Sequence, residues 1–388
     1  MKTNIEARRN CFEAIPQIYR TLAKSISQYI SPETTADLFQ VLLDGLKDYS
    51  SDERGDVGSW IRVACVRGLT EVSEVLIRHA KDLPDFEAYL SPHRYHAAIA
   101  GILKQGVERL DNVRQDAGAC FLRLLRLSPP DVSSCDQWQI SGHELLERLF
   151  PSNKADESWG DGNFLFPKAV QFVQIERYRD SVLQGLVLSI GSKTDSIHRP
   201  LSASLVAYCN TIHVTVSDGP TYSLQRLVTD LLNYARSNLA ANAVVLPVLQ
   251  AFNVLFEGGV LKRLDEYPEG IETLQDLLRV CLSNISRIKS IHRISQCMKI
   301  TVHLLAFENL FSRAVSELTS FLNHRFPHVR SETAEYLYIF LQSHNVGRET
   351  DEVEELLLET EWLTEDTSVA HDAAQATVSA FENAERVD

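Results

Sequence analysis

Ile61-Arg62-Val63-Ala64-Cys65-Val66-Arg67-Gly68-Leu69 is the stretch whose reading decides the fold. An aliphatic residue and an arginine open it, a small residue follows at +4 and a large apolar one at +8. The pattern recurs as Val113-Arg114 with Ala117 and Phe121, and as Val329-Arg330 with Thr333, Ala334 and Leu337. Spacings of four and eight put the small and large residues on one helical face, where a second helix can approach closely. Each arginine lies beside that face, its stem free to pack and its head free to reach a loop. Repeated helix pairs of this kind build solenoids that hold other proteins. The predicted fold is therefore all-α: a HEAT/armadillo-like α-solenoid of stacked antiparallel helix pairs.

Working outward, helical periodicity dominates the chain. Ile15, Ile18, Leu22 and Ile26 mark a first helix, and Ser31-Pro32-Glu33-Thr34 restarts the next one with a serine cap and a proline in the first turn. Asp48 to Gly58 is a polar turn, in which Asp56 is a candidate helix cap, and Trp60 reads as core. The first two copies of the arginine pattern lie 52 residues apart, close to the ~40–47 residues of HEAT and armadillo repeats. Helix pairs alone carry the repeat reading between 130 and 320. The sequence predicts HEAT-like pairs over 1–127, a loop-rich insertion over 128–166 that docks through Trp138 and Trp159, further HEAT-like helices over 167–363, and a disordered acidic tail over 364–388. Ser217-Asp218-Gly219-Pro220 reads as a turn, and Ile212 to Val216 is the one short alternating run.

Composition narrows the function. The net charge is −14, but residues 349–388 hold thirteen acidic residues against the single base Arg386, so the body is nearly neutral. No dense basic stripe offers itself to phosphates, which excludes nucleic acid. No apolar run approaches the ~20 residues of a membrane span. The seven cysteines are scattered and odd in number, as in reduced, buried thiols of a cytosolic protein. The segment 349–366 carries Leu356, Leu357, Leu358 and Trp362 among its acids, and reads as an amphipathic closing helix that caps the stack, with partner binding and simple disorder as the alternatives.

No motif supplies catalytic chemistry. Gly191-Ser192-Lys193-Thr194 lacks the upstream glycine of a phosphate loop and reads as a helix end. His93 with His96 and His324 with His328 lack the thiolates or carboxylates a metal site needs. No CxxC, HExxH or GxSxG occurs. Neither catalytic residues, cofactors nor metals are expected. Arg287, Lys289, His292, Arg293 and Lys299 form the one basic cluster, either a solvated face or a surface for an acidic partner.

Three stretches together resemble the tubulin folding cofactor D family, in its C-terminal region. They are Asp48-Tyr49 with Arg54-Gly55-Asp56-Val57-Gly58-Ser59-Trp60-Ile61-Arg62, then Tyr178-Arg179 with Gly185-Leu186-Val187-Leu188-Ser189-Ile190-Gly191, then His324-Arg325-Phe326-Pro327 with Val329-Arg330. Leu149-Phe150-Pro151, Trp159 and Phe166-Pro167 fit in order between them. The resemblance implies a C-terminal part of a longer, repeat-containing protein that helps assemble and dismantle the αβ-tubulin heterodimer. It implies β-tubulin, tubulin cofactors C and E and an ARF-like small GTPase as partners, in the cytoplasm and at the cytoskeleton. It carries over no catalytic residue. Groups at the repeat turns, expected to be exposed, are the candidate partner contacts: Arg54, Asp56, Tyr178, Arg179, His324, Arg325 and Arg330. The alternative for Arg62, Arg114 and Arg330 is a structural bridge between repeats. A generic HEAT adaptor of another complex is the alternative function. A GTPase-activating role of the chain's own would need a mobile arginine beside a nucleotide, for which Arg325 is the candidate.

Overall fold

A computed structural model describes residues 4–152, 158–215 and 222–386. Among them the fold is all-α, with HEAT-like stacked helix pairs and no strand; two isolated bridges, Asp52 with Gly55 and Arg348 with Arg386, are the only β pairings. Ile212–Thr215 is thus not a strand, while Val216 and the Ser217–Pro220 turn lie outside the described residues. The chain divides into two compact units, Met1–Ser204 and Leu205–Asp388.

The first unit contains α1 (Ile5–Leu22), α2 (Ile26–Tyr29), α3 (Pro32–Gly45), α4 (Gly58–Arg78), α5 (Phe86–Tyr89), α6 (Pro92–Gly106), α7 (Asp111–Leu125), α8 (His143–Leu149), α9 (Gly162–Ala169) and α10 (Arg179–Ile190). The division falls within α11 (Asp195–Thr211). Ser31 and Ser91 each cap a helix whose first residue is proline, their hydroxyls accepting from the Thr34 and Arg94 amides. Successive helices pack as pairs, α3 on α4 and α6 on α7, and each pair packs on the next through α4 with α7 and α6 with α10. Ile61, Cys65 and Leu69 are fully buried, as are Val113, Ala117 and Phe121, so the opening motif is the inner stripe it predicts.

Segment 128–166 is ordered where it is described. Trp138, in a short 3-10 turn, donates its indole N–H to the Leu90 carbonyl at 2.9 Å. Trp159 is fully buried, its ring stacked on Phe150 with centroids 5.0 Å apart. Gly106 and Gly118 form the slot for that ring: a Cβ on Gly106 would lie 2.8 Å from it, and one on Gly118 would overlap it.

The second unit contains α12 (Leu224–Arg236), α13 (Asn242–Glu257), α14 (Pro268–Leu282), α15 (Ile291–His303), α16 (Phe311–Leu322), α17 (Pro327–Ser343), α18 (Asp351–Glu359) and α19 (Thr367–Asn383). Again α14–α15 and α16–α17 pair, and α13, α15 and α17 stack in succession. Helix α19 corrects the expected disordered tail. Ala370, Ala374, Thr377 and Phe381 recur at helical spacing and are buried, and Phe381 meets Phe311 edge-on at 6.0 Å. Asp366 caps the helix through the Ser368 amide, and the chain end is fastened by the Glu349 amide to the Glu385 carbonyl at 3.0 Å. The small residues face inward and the acids outward, so net charge masks an amphipathic helix.

The slot makes a prediction of sign. Alanine in place of a helical glycine ordinarily stabilises by ~1 kcal/mol, but Gly118→Ala is expected to lower the urea midpoint, because overpacking against Trp159 costs about 1–3 kcal/mol. A raised midpoint would show that the indole yields freely.

Candidate functional site

The three pattern arginines are all buried: Arg62 and Arg114 fully, Arg330 to 1% exposure. Each stands in the first two turns of its helix and turns its guanidinium back toward the loop that precedes it. Arg62 uses all five of its N–H donors. Nε meets Gln105 Oε1 at 3.1 Å, Nη1 meets the Asp48 carbonyl at 2.8 Å and Asp56 Oδ1 at 3.1 Å, and Nη2 meets Asp56 Oδ2 at 3.2 Å and Glu108 Oε1 at 2.8 Å. The Tyr49 ring lies 4.3 Å from the guanidinium carbon. The ends of α3, α4 and α6 are thereby gathered on one cation.

Arg114 and Arg330 share a different scheme. Their Nε atoms donate to the carbonyls of Trp159 and Trp362, each at 3.2 Å. Their Nη1 atoms donate to the carbonyl six residues back, Glu108 at 2.9 Å and His324 at 2.8 Å. Their Nη2 atoms donate to the carbonyls of Gly160 and Thr364. In each unit a buried arginine thus clamps a tryptophan-bearing segment onto the turn before its helix. Arg94 and Arg179 also bond the carbonyl six residues back, Ala88 at 3.0 Å and Val173 at 2.8 Å.

The seven candidate contacts separate by burial. Arg54 and Arg325 are exposed, and Asp56 and Arg179 half-buried. Arg54 pairs with Glu6 at 2.6 Å and Asp52 at 2.8 Å and lies over Trp60, 4.9 Å from its centroid. Trp60 is half-buried between Arg54 and Arg9, not core. Asp56 caps α4 through the Ser59 amide. Burial opposes its charge, yet the hydrogen bonds and charges of Arg62 and Arg109 hold its carboxyl below the usual range. Arg325 rests on the Phe326 ring at 4.7 Å.

Tyr178, His324 and Arg330 are buried, which corrects their expected exposure. Arg330 turns inward because three carbonyls converge on it, one from the turn before α17 and two from the segment between α18 and α19. Tyr178 is drawn in by His96. The Gln137 carbonyl accepts from His96 Nε2 at 2.9 Å, so Nδ1 is the acceptor, and the Tyr178 hydroxyl donates to it at 2.6 Å while accepting the Ser141 amide. Burial pushes His96 down to about 4. In the second unit His303, stacked on Phe256 and bonded to the Tyr336 hydroxyl at 3.0 Å, is likewise pushed down to about 4 by burial. Within the basic cluster Arg293 is buried and donates to the Leu239 carbonyl and Asn242.

Sequence reading missed the acidic and amide partners of Arg62. Glu108 is fully buried, and its Oε2 finds no hydrogen-bond partner among the described residues. Burial pushes its carboxyl up, against the pull of Arg62. A buried acid two residues past the end of α6, and 46 residues from Arg62, has no local signal in the sequence. Among the described residues no three His, Cys, Asp or Glu side chains are grouped to hold a metal ion, and no helix is long and apolar enough to cross a membrane.

The model of a known protein family, "Tubulin folding cofactor D C terminal", matches residues 96–293, half of the chain. The chain belongs to the tubulin folding cofactor D family. Membership carries a cofactor-D-like role with tubulin-related partners. The matched part of this cofactor D family chain runs from His96 through the Arg114 clamp, Trp159 and Tyr178 to Arg293. Arg62 and Arg330 themselves lie on either side of it, although Gln105 and Glu108, two partners of Arg62, fall within it.

Two predictions come from these networks. Arg62→Met strands Glu108 and is expected to cost about 3–5 kcal/mol, as breaking a buried ion pair does. Adding Glu108→Gln should return part of that loss in urea unfolding; full additivity of the two changes would refute the coupling. For the histidines, a folded value below the ordinary 6.5 means that unfolding takes up protons. Their stabilisation is complete above pH 6.5 and is lost as pH falls toward 4. From pH 7 to 5 each should cost roughly 2 kcal/mol of unfolding free energy. His96→Gln/His303→Gln should reduce that pH dependence, and an unchanged dependence would assign it to other groups.

Proposed function

We propose that the chain is a non-catalytic protein-binding scaffold that contributes to assembly and disassembly of the αβ-tubulin heterodimer. Its partners on this reading are β-tubulin, tubulin cofactors C and E and an ARF-like small GTPase, in the cytoplasm and at the cytoskeleton. The observation that carries the reading is the family match over residues 96–293. The geometry supports it in one respect. The buried arginines are consumed by internal ties, which fix the turns between helices and leave exposed groups such as Arg325 and Arg54 presented on a preformed frame. A frame that orders little on binding loses little entropy there.

The reading assigns no catalytic residue. The purified chain alone should not accelerate GTP hydrolysis by tubulin or by the small GTPase, and acceleration abolished by Arg325→Ala would make it an activating protein instead. Arg325→Glu, at an exposed rim position, is expected to slow association with αβ-tubulin or a fellow cofactor severalfold at low salt while leaving the fold intact. Surface plasmon resonance against each partner measures this. Failure of the unmodified chain to bind tubulin or any cofactor, together with capture of other proteins, would favour the generic adaptor.

A further inference from the structure

Helix α17 carries two stripes. Val329, Thr333, Leu337 and Phe340 face the core. The other stripe, Ala334, Tyr338 and Ile339, forms one wall of a groove of about 460 Å³, with Leu358 of α18 and the Trp362-Leu363 segment opposite. Ile339 and Leu358 are 64% exposed and Leu363 59%; among the described residues only Tyr29 is a more exposed large apolar side chain. Three such side chains around one concavity form a patch rather than scattered surface residues.

The charge around the groove has one sign. Glu335 and Glu361 line it, no Lys or Arg does, and the exposed Glu359, Glu365 and Asp366 follow in the adjoining chain. The far wall is held in place: Arg330 bonds the Trp362 and Thr364 carbonyls from below, and the Trp362 indole donates to the Leu357 carbonyl at 3.0 Å. The groove is therefore preformed. A second copy of this chain is a poor occupant, since its own groove bears the same negative rim and the chain carries −14.

We propose that this groove docks an amphipathic helix of a partner protein, with large aliphatic residues on one face and lysine or arginine on its flanks. Aliphatic anchors at i, i+3, i+4 and i+7 fill the apolar floor, and the flanking cations meet Glu335 and Glu361 across the rim. The proposal stands on this surface alone and not on the tubulin reading.

The test uses the full chain and a fluorescein-labelled designed peptide of roughly 15 residues, long enough to hold a helix, with leucines at those spacings and lysines elsewhere. Fluorescence anisotropy should show saturable binding. Ile339→Ser/Leu363→Ser and, separately, Glu335→Lys/Glu361→Lys should each weaken it about tenfold, and a glutamate-for-lysine peptide should bind at least as much more weakly. Hydrogen exchange should slow at 331–339 and 357–363 on peptide addition. Both double variants alter rim groups, and circular dichroism checks that each keeps its helix content. Equal binding by either variant or by the acidic peptide, or no saturable binding, overturns the proposal. So does a dimer of the free chain that Ile339→Ser/Leu363→Ser dissociates, since the groove then belongs to a second copy.

Discussion

The structure depends on guanidinium groups buried at the starts of helices. A helix pair can bury its apolar stripes and still leave the loop carbonyls beside them without donors, and an orphaned buried carbonyl costs free energy comparable to a lost hydrogen bond. Arg114 and Arg330 supply donors to three carbonyls each from one planar fork. Lysine could not replace them, because its ammonium offers three donors about a point and cannot span two loops with a fixed geometry. The same property explains the repeated i−6 bond: an arginine in the first helical turns is placed to reach the carbonyl where the preceding loop turns.

Arg62 obeys a harsher rule. Two of its partners are carboxylates, the buried Glu108 and the half-buried Asp56, and a buried ion pair gains little over an apolar cluster of the same size. What the cluster fixes is register. Asp48 belongs to the turn after α3, Asp56 to the start of α4, and Gln105 and Glu108 to the end of α6. Only one arrangement of those elements satisfies all five donors, so a shifted packing leaves a buried charge exposed to that penalty. The half-satisfied Glu108, with its carboxyl pushed up by burial, is the weakest member of the set.

The helix pairs were legible in sequence because burial at period 3.6 is a local signal, and Ile61, Cys65 and Leu69 carry it in nine residues. The arginines were legible as a pattern, but their partners were not. Arg114 and Arg330 bind backbone carbonyls, which every residue possesses and no side-chain pattern marks. Tyr178 looked like a turn residue and is internal because a distant group, His96, reaches it, while His324 is buried in its own turn, where its Nδ1 accepts the Phe326 amide and its carbonyl accepts Arg330. The acidic tail misled for another reason. Its inward face is made of alanine and threonine, small residues with low hydrophobicity, so the six acids of 364–388 outweighed a correct helical spacing that Phe381 completes. Trp60 was misjudged because an aromatic ring can be covered by cations instead of by core, as Arg54 and Arg9 cover it.

These internal ties decide where recognition can occur. A buried arginine bonded to internal acceptors is not presented to a partner, so Arg62, Arg114 and Arg330 act on recognition only through what they hold. For Arg330 that is specific. Its Nε and Nη2 atoms grip the backbone at Trp362 and Thr364, and Leu363 between them is thrown outward to 59% exposure. The residue that ties the Trp362 segment to the start of α17 thereby also shapes the outer wall of the groove. Packing inside the second unit and the apolar surface it presents are two consequences of one side chain, whose polar head faces inward so that a leucine can face out.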